Sequence, residues 1–265
     1  MRRFDADYLE ETRRGMWEEV GKLVDLDLGS RTRVADVGCG TGELTRVLAR
    51  ESPAEVVGID ADPALLDAAR EHGPVLAGDA THLPLRTNAV DLVTCQALLI
   101  NLPEPRRAVA EFARVSSALV CAIEPDNGGV EVKSTVGREV DLARRAREHY
   151  IEGVGTDVTL GADSRDLFEA VGLSEVRTRR YDHEKVIEPP YGEAALESAR
   201  RKATGEGLES DRRTMLGGDL APAAFDELRA EWREMGREVI GQMQAGEYER
   251  TERVPFYVTV GRVDS

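Results

Sequence analysis

R-V-A-D-V-G-C-G-T-G-E-L-T-R-V-L, residues 33–48, is the stretch whose reading decides the fold. Residues 33–37 alternate as a buried strand does, and from Glu43 onward Leu44, Val47 and Leu48 recur at helical spacing. Between them stand Gly38, Gly40 and Gly42, so the stretch reads as strand, glycine turn and helix. Glycine suits such a turn because it adopts positive φ and, having no Cβ, lets a ligand approach the backbone. The N–H groups that open the helix then face outward as donors for an anionic or polar ligand.

A dinucleotide site of the G-x-G-x-x-G type would place a small residue at position 43, where this chain has Glu43. The spacing is G-x-G-x-G, preceded by Asp36. In this form D-V-G-C-G-T-G resembles motif I of the class I methyltransferases that use S-adenosylmethionine (SAM) and release S-adenosyl-L-homocysteine. The resemblance implies that Asp36, Gly38, Cys39, Gly40 and Gly42 form the floor of a SAM site. It also implies an α/β fold: a doubly wound, mostly parallel seven-stranded sheet, its last strand antiparallel, with helices on both faces.

Downstream residues extend the likeness. A second apolar run stops at Asp60, 18 residues past Gly42, where this architecture places a carboxylate on the ribose hydroxyls. Ala61 follows, and Asp62 before Pro63 reads more simply as a helix N-cap. A third strand ends in G-D-A, residues 78–80, with Asp79 19 residues past Asp60. The family's pattern makes Gly78, Asp79 and Ala80 the adenine contacts: the carboxylate for the exocyclic amine, the Ala80 N–H for a ring nitrogen. The fourth strand, residues 90–95, leads into Gln96 and Ala97, which the resemblance sets beside the cofactor's methyl end. Asn101 stands where many relatives carry histidine.

The 265 residues suffice for a sizeable core and read as one α/β domain with elaborations. Residues 1–30 are expected to hold a lid helix with Arg13 and Trp17 toward the cofactor, and residues 31–181 the SAM-binding Rossmann-like core. A helical insertion or cap follows at 182–253, and a final core strand at 254–265. The insertion carries helical patterns over 193–203 and 222–245, the second with an apolar side of Phe225, Leu228, Trp232, Met235, Val239, Ile240 and Met243. A cap and a dimer face both suit that side, so monomer and homodimer stay open.

A fifth strand leads into Glu124 and Asp126, at the strand end where open α/β sheets bind ligands. Both are candidates to orient a substrate or accept its proton, and a Pro-Asp-Asn-Gly turn equally accounts for them. His149, Tyr150, His183 and Tyr191 are the remaining weak candidates for a general base. No further catalytic signature stands out. That suits a sulfonium donor, whose leaving group is already good and which needs chiefly alignment with the acceptor.

A formal net charge of −15 opposes non-specific attraction to nucleic acid or anionic membranes, so a small-molecule substrate is expected. No Asn-Pro-Pro-Tyr-like motif points to base amines, and no Cys/His spacing points to a metal. Cys39, Cys95 and Cys121 lie in apolar or glycine-rich settings, as thiols do in a reducing cytoplasm. The N-terminal residues show no signal region, and no apolar run is long enough for a membrane span. Lysine occurs only at Lys22, Lys133, Lys185 and Lys202, against a Lys+Arg total of 35. With the acidic excess this gives a haloarchaeal look, and ordinary acidic solubility fits as well. A steep loss of thermal stability on lowering salt is the expected result of the first reading, and indifference to salt that of the second.

Overall fold

The computed structural model describes Met16, Trp17 and residues 20–264. The chain runs β1 (Arg33–Val37), α1 (Glu43–Glu51), β2 (Glu55–Asp60), α2 (Pro63–Ala69), β3 (Val75–Ala77), β4 (Val90–Gln96), α3 (Pro105–Val115), β5 (Ser116–Pro125), β6 (Glu131–Ser134) and α4 (Gly137–Gly153). It continues through α5 (Ser164–Ala170), β7 (Ser174–Ile187), α6 (Glu193–Thr204), α7 (Glu206–Ser210), α8 (Arg212–Met215), α9 (Pro222–Ala245) and β8 (Arg250–Arg262). The sheet order is β3-β2-β1-β4-β5-β8-β6, with β7 also paired to β8. Strands β1 to β5 pair in parallel, and β8 is antiparallel to β5. The expected mixed sheet with its antiparallel last strand is present.

Among the described residues it holds eight strands rather than seven, the addition being β6. This strand is E-V-K-S, too short and polar to register as a period, and it forms because β8 offers it Arg250 to Arg253 as antiparallel partners. The lid helix expected within residues 1–30 falls partly outside the described residues, and Val20–Leu26 is a 3₁₀ helix.

The residues group into two compact units. One takes in the described residues up to Pro125, Leu160–Tyr181 and the described residues from Phe256. The other combines Asp126–Thr159 with Asp182–Pro255. The sequence reading assigned 126–159 to the core, yet these residues pack with the later segment, because the apolar side of α4 and that of α9 share one core. No local period reports such a pairing.

In the first unit both faces of the sheet are covered, so its strands read as nearly continuous apolar runs. Val34, Leu92, Leu119 and Cys121 point to one side with Leu44, Val47 and Leu48 of α1, and with Met16, Trp17, Leu23 and Leu26. Ala35, Val37, Val93, Cys95, Val120 and Ala122 point to the other side, against Phe112 of α3 and Phe168 of α5. The alternation follows from the period of two along a strand.

The core of the second unit gathers Phe225, Leu228, Met235, Val239 and Met243 of α9 with Val136, Leu142, Ala199, Leu208, Met215 and Tyr248. The apolar side of α9 is therefore filled from within its own unit. Gly236 lets α9 approach α6 backbone to backbone: a Cβ there would lie 2.3 Å from the Ala203 nitrogen and 2.4 Å from the Lys202 carbonyl carbon. Neither neighbour is a flexible side-chain end that could swing aside. Gly236→Ala is therefore expected to cost about 3 kcal/mol through overpacking, read as a lower urea midpoint for this unit. A midpoint equal to wild type would show that the two helices separate without cost.

Candidate functional site

The carboxyl ends of β1, β2 and β4 carry the residues singled out by sequence. Beyond β1 the chain turns through Gly38, Gly40 and Gly42, whose φ values of 70°, 57° and 87° all lie in the left-handed region. The Gly38 and Cys39 N–H groups donate to the Ile59 carbonyl at 2.7 and 3.1 Å, which ties the turn to β2. Asp36 is 1% exposed and accepts from the Thr45 hydroxyl at 2.6 Å, joining β1 to the first turn of α1.

Asp60 closes the same structure from the other side. One carboxylate oxygen accepts from the Gly40 N–H at 2.9 Å, the other from the Asp62 N–H at 2.9 Å. A carboxylate oxygen has two lone pairs, so each keeps one for a ligand after making its bond to the backbone. This support of the glycine turn by Asp60 left no trace in the sequence, because it joins residues 20 apart whose types suit many roles. Asp62 caps α2 by accepting from the Ala64 N–H at 3.0 Å, the role expected of it, and Ala61 is exposed beside it.

After β3, Gly78 fits closely: a Cβ would lie 2.8 Å from Pro84 and 2.9 Å from Ile59. Asp79 is exposed and bent into an Asx turn, one oxygen accepting from both the N–H and the hydroxyl of Thr81 at 2.8 Å. The Thr81 backbone bond, then its hydroxyl, hold the Asp79 carboxyl below its usual range, so it is an anion at neutral pH. Ala80 is buried.

At the end of β4, Gln96 is 2% exposed, and its amide nitrogen lies 2.8 Å from the Met16 sulfur. Ala97 takes φ 48°, and its carbonyl accepts from the Asn101 side-chain amide at 2.7 Å. Trp17, adjacent to Met16, is buried as well. The Trp17 indole N–H, the Gln96 carbonyl oxygen and the Asn101 carbonyl oxygen are buried with no hydrogen-bond partner among the described residues. Buried polar atoms left unpaired are costly, so this donor and these acceptors suit a polar ligand. Arg13 lies outside the described residues.

Glu124 is not a substrate-facing acid. It is fully buried, and its carboxylate accepts from the N–H groups of Leu98, Leu99 and Ile100 at 3.1, 2.9 and 3.3 Å. Burial pushes its pKa up to about 7 against the lowering pull of those three bonds. Sequence showed the acid at a strand end but not that the preceding loop folds over it.

The other proton-transfer candidates belong to the second unit. Asp126 accepts from the N–H groups of Gly128 and Gly129 at 2.9 and 3.2 Å, as a turn residue does. His149 lies 3.2 Å from Glu152 through Nδ1. The Tyr191 hydroxyl donates to the Tyr248 carbonyl and accepts from the Tyr248 N–H, at 3.0 and 2.9 Å. Tyr150 is half-buried against the core, and His183 is buried on β7. Among the described residues no group of three or more His, Cys, Asp or Glu side chains is arranged to hold a metal ion.

Residues 35–118 match the family model of the methyltransferase domain. This segment is therefore similar to methyltransferase domains. The glycine turn, Asp60, Asp79 and Gln96 all lie within the matched segment. A demethylmenaquinone methyltransferase of Lactiplantibacillus plantarum is 35% identical over 113 residues, which cover 37% of this chain and 48% of that one. The chain thus spans about half the length of this relative. Among solved structures, a candidate methyltransferase of Bacillus halodurans aligns over 93% of this chain and 99% of its own, with a TM-score of 0.55 and 15% identity. A Haloferax volcanii candidate methyltransferase, solved in complex with a methyltransferase activator, aligns over 100% of both chains with a TM-score of 0.52 and 16% identity. Identities this low speak for the fold alone. No helix among the described residues is long and apolar enough to cross a membrane.

Proposed function

We propose that the chain transfers the methyl group of SAM to a small-molecule acceptor, through an oxygen, nitrogen or carbon nucleophile, by in-line displacement. The observation that carries this reading is the Asp60 carboxylate. It is fixed by two backbone N–H groups and retains a lone pair on each oxygen, an arrangement that suits the two hydroxyls of a ribose. SAM supplies an activated methyl on a sulfonium. The residues of the chain bind and orient it. The glycine turn gives backbone access, Asp60 accepts from the ribose diol, Asp79 accepts from the adenine amine, and the Ala80 N–H serves a ring nitrogen. The unpaired polar atoms of Trp17, Gln96 and Asn101 serve the methionine end and the acceptor. Arg13 is assigned to the SAM carboxylate on the sequence pattern alone.

Acceptor choice is assigned to residues 182–253, read as a cap because the segment exceeds what a connection needs. Three buried free thiols support a reducing, cytoplasmic setting. Sedimentation velocity would distinguish a monomer from a homodimer.

Asp60→Ala is expected to weaken SAM binding by about 1–3 kcal/mol through loss of charge-assisted hydrogen bonds, measured by calorimetry. Affinity equal to wild type would refute the ribose assignment. The activity itself is tested by transfer of a labelled methyl group from SAM into a fractionated cell extract, with Asp60→Ala as control. Label in a small-molecule fraction, absent with the variant, is the expected result. Intact SAM binding without incorporation would favour a second reading, a SAM-binding regulatory or partner-dependent protein without independent catalysis. The H. volcanii neighbour, solved with an activator, gives that reading its interest here.

A further inference from the structure

The turn that follows β4 rests on one buried side chain. Leu98, Leu99 and Ile100 present three successive N–H groups at the start of the 3₁₀ turn Leu99–Asn101, where no intrahelical acceptor exists for them. The Glu124 carboxylate accepts all three, two on one oxygen and one on the other. On its opposite side the same turn touches the glycine loop: a Cβ on Gly38 would lie 2.8 Å from the Leu98 side chain, so Leu98 packs against Gly38 itself. Ala97, held at positive φ, is the hinge between β4 and this turn.

We propose that Glu124 is a positioning residue for SAM binding: its buried carboxylate fixes the 98–100 backbone, which in turn holds Leu98 against the glycine loop. The role rests on the SAM reading of that loop. Glu124 touches neither cofactor nor acceptor and acts through the backbone it holds.

The carboxylate form serves this role best, because both its oxygens are acceptors. Protonation turns one oxygen into a donor facing an N–H group and loosens one of the three bonds. The other titratable groups near Glu124 do not take over the task. Cys95 on β4 lies 3.6 Å away and Cys121 stands on β5 itself, and burial keeps both thiols neutral. Asp36 on β1 is already engaged by Thr45, and Tyr257 is the register partner of Glu124 on β8. The turn 98–101 carries no titratable side chain. Glu124 itself, pushed up to about 7, changes charge near neutral pH.

The test measures SAM affinity of the full chain by calorimetry from pH 5.5 to pH 8.5, for wild type and Glu124→Gln, with amide hydrogen exchange of Leu98, Leu99 and Ile100 followed in wild type. Wild type is expected to lose affinity as pH falls through about 7, with faster exchange at these three amides relative to the β4 amides. Glu124→Gln is expected to bind SAM at least about tenfold more weakly, with no inflection near pH 7. Glu124→Asp, which keeps the acceptors but shortens their reach, is expected to fall between them and to keep the inflection. Equal affinity and the same pH profile for wild type and Glu124→Gln would overturn the proposal. So would wild-type exchange at the three amides that tracks the β4 amides at every pH, a result that holds even if the variants fail to fold. Failure of wild type to bind SAM at any pH would refute the SAM reading instead, and the amide exchange would still report whether Glu124 holds the turn.

Discussion

Glu139→Ala is expected to destabilise the second unit by about 3–5 kcal/mol, because it removes the anion at the centre of a buried ionic cluster and leaves Lys202 without its ion-pair partner, while Arg250 keeps Glu252. Glu139, on α4, is 1% exposed. It is paired with Lys202 of α6, lies 3.2 Å from the Arg250 guanidinium, and accepts from the Tyr248 hydroxyl at 2.9 Å and from the Ser134 hydroxyl at 2.6 Å. Burial alone would raise its pKa, but the Lys202 charge and the hydrogen bonds outweigh it and leave the carboxyl below its usual range. In the variant, Lys202 stays buried without its counter-charge, a condition that costs more than the ion pair itself contributes. Trp232 lies in this unit and Trp17 in the other, so fluorescence of single-tryptophan variants during urea unfolding can separate the two transitions. A shift below about 1 kcal/mol, the range of a solvent-exposed pair, would mean that water reaches the cluster. Glu139→Gln, which keeps the acceptor and loses the charge, is expected to fall between wild type and Glu139→Ala.

Stability is expected to fall by about 3 kcal/mol as pH rises from below 4.5 to above 7 on account of Glu124 alone. The sign follows from linkage. Burial raises the folded-state pKa of Glu124 from 4.5 to about 7. Between those values the folded chain holds a proton that the unfolded chain has released, so the contribution is complete below the unfolded pKa and is lost as pH rises through the folded one. Other carboxylates titrate over the same range, so the quantity to measure is the difference between wild type and Glu124→Gln in unfolding free energy at each pH. That difference should move against wild type with rising pH and level off above about 8. A difference that stays constant would place the Glu124 carboxyl in an ordinary solvated environment. Stability and positioning pull in opposite directions at this residue: the fold favours the neutral acid, whereas the turn it supports is best held by the anion. Such a trade suits a residue retained for a site rather than for the core.

Much of the matched segment, residues 35–118, is legible in one dimension. A parallel strand buried on both faces is a short apolar run, a glycine turn declares its positive φ by composition, and an acid ending such a run falls at the carboxyl edge of the sheet. From these alone β1, β2 and β4, the helix after the glycines and the N-cap at Asp62 could be placed, and a helical period outside that segment places the long helix Pro222–Ala245. The edge strand β6 could not, because four residues carry no period and are defined by the partner that β8 supplies.

The candidate site divides along the same line. Residue type and spacing brought Gly38, Gly40, Gly42, Asp60 and Asp79 together on paper, since each sits at the end of a strand and strand order follows from the alternation of elements. Glu124 was legible only as an acid in a ligand-facing position. Its actual work, holding three N–H groups of a turn 24 to 26 residues earlier in the chain, depends on how β4 and β5 pair. The unpaired atoms of Trp17, Gln96 and Asn101, and the anion at Glu139 ringed by Lys202, Arg250 and Tyr248, are likewise products of packing. Sequence by itself determined the elements and the motif edge of the sheet, because local periodicity and turn chemistry act over a few residues. Only the tertiary structure decided which polar groups meet in the interior, because the cost of burying a charge or an N–H group is settled by neighbours that are distant in the chain.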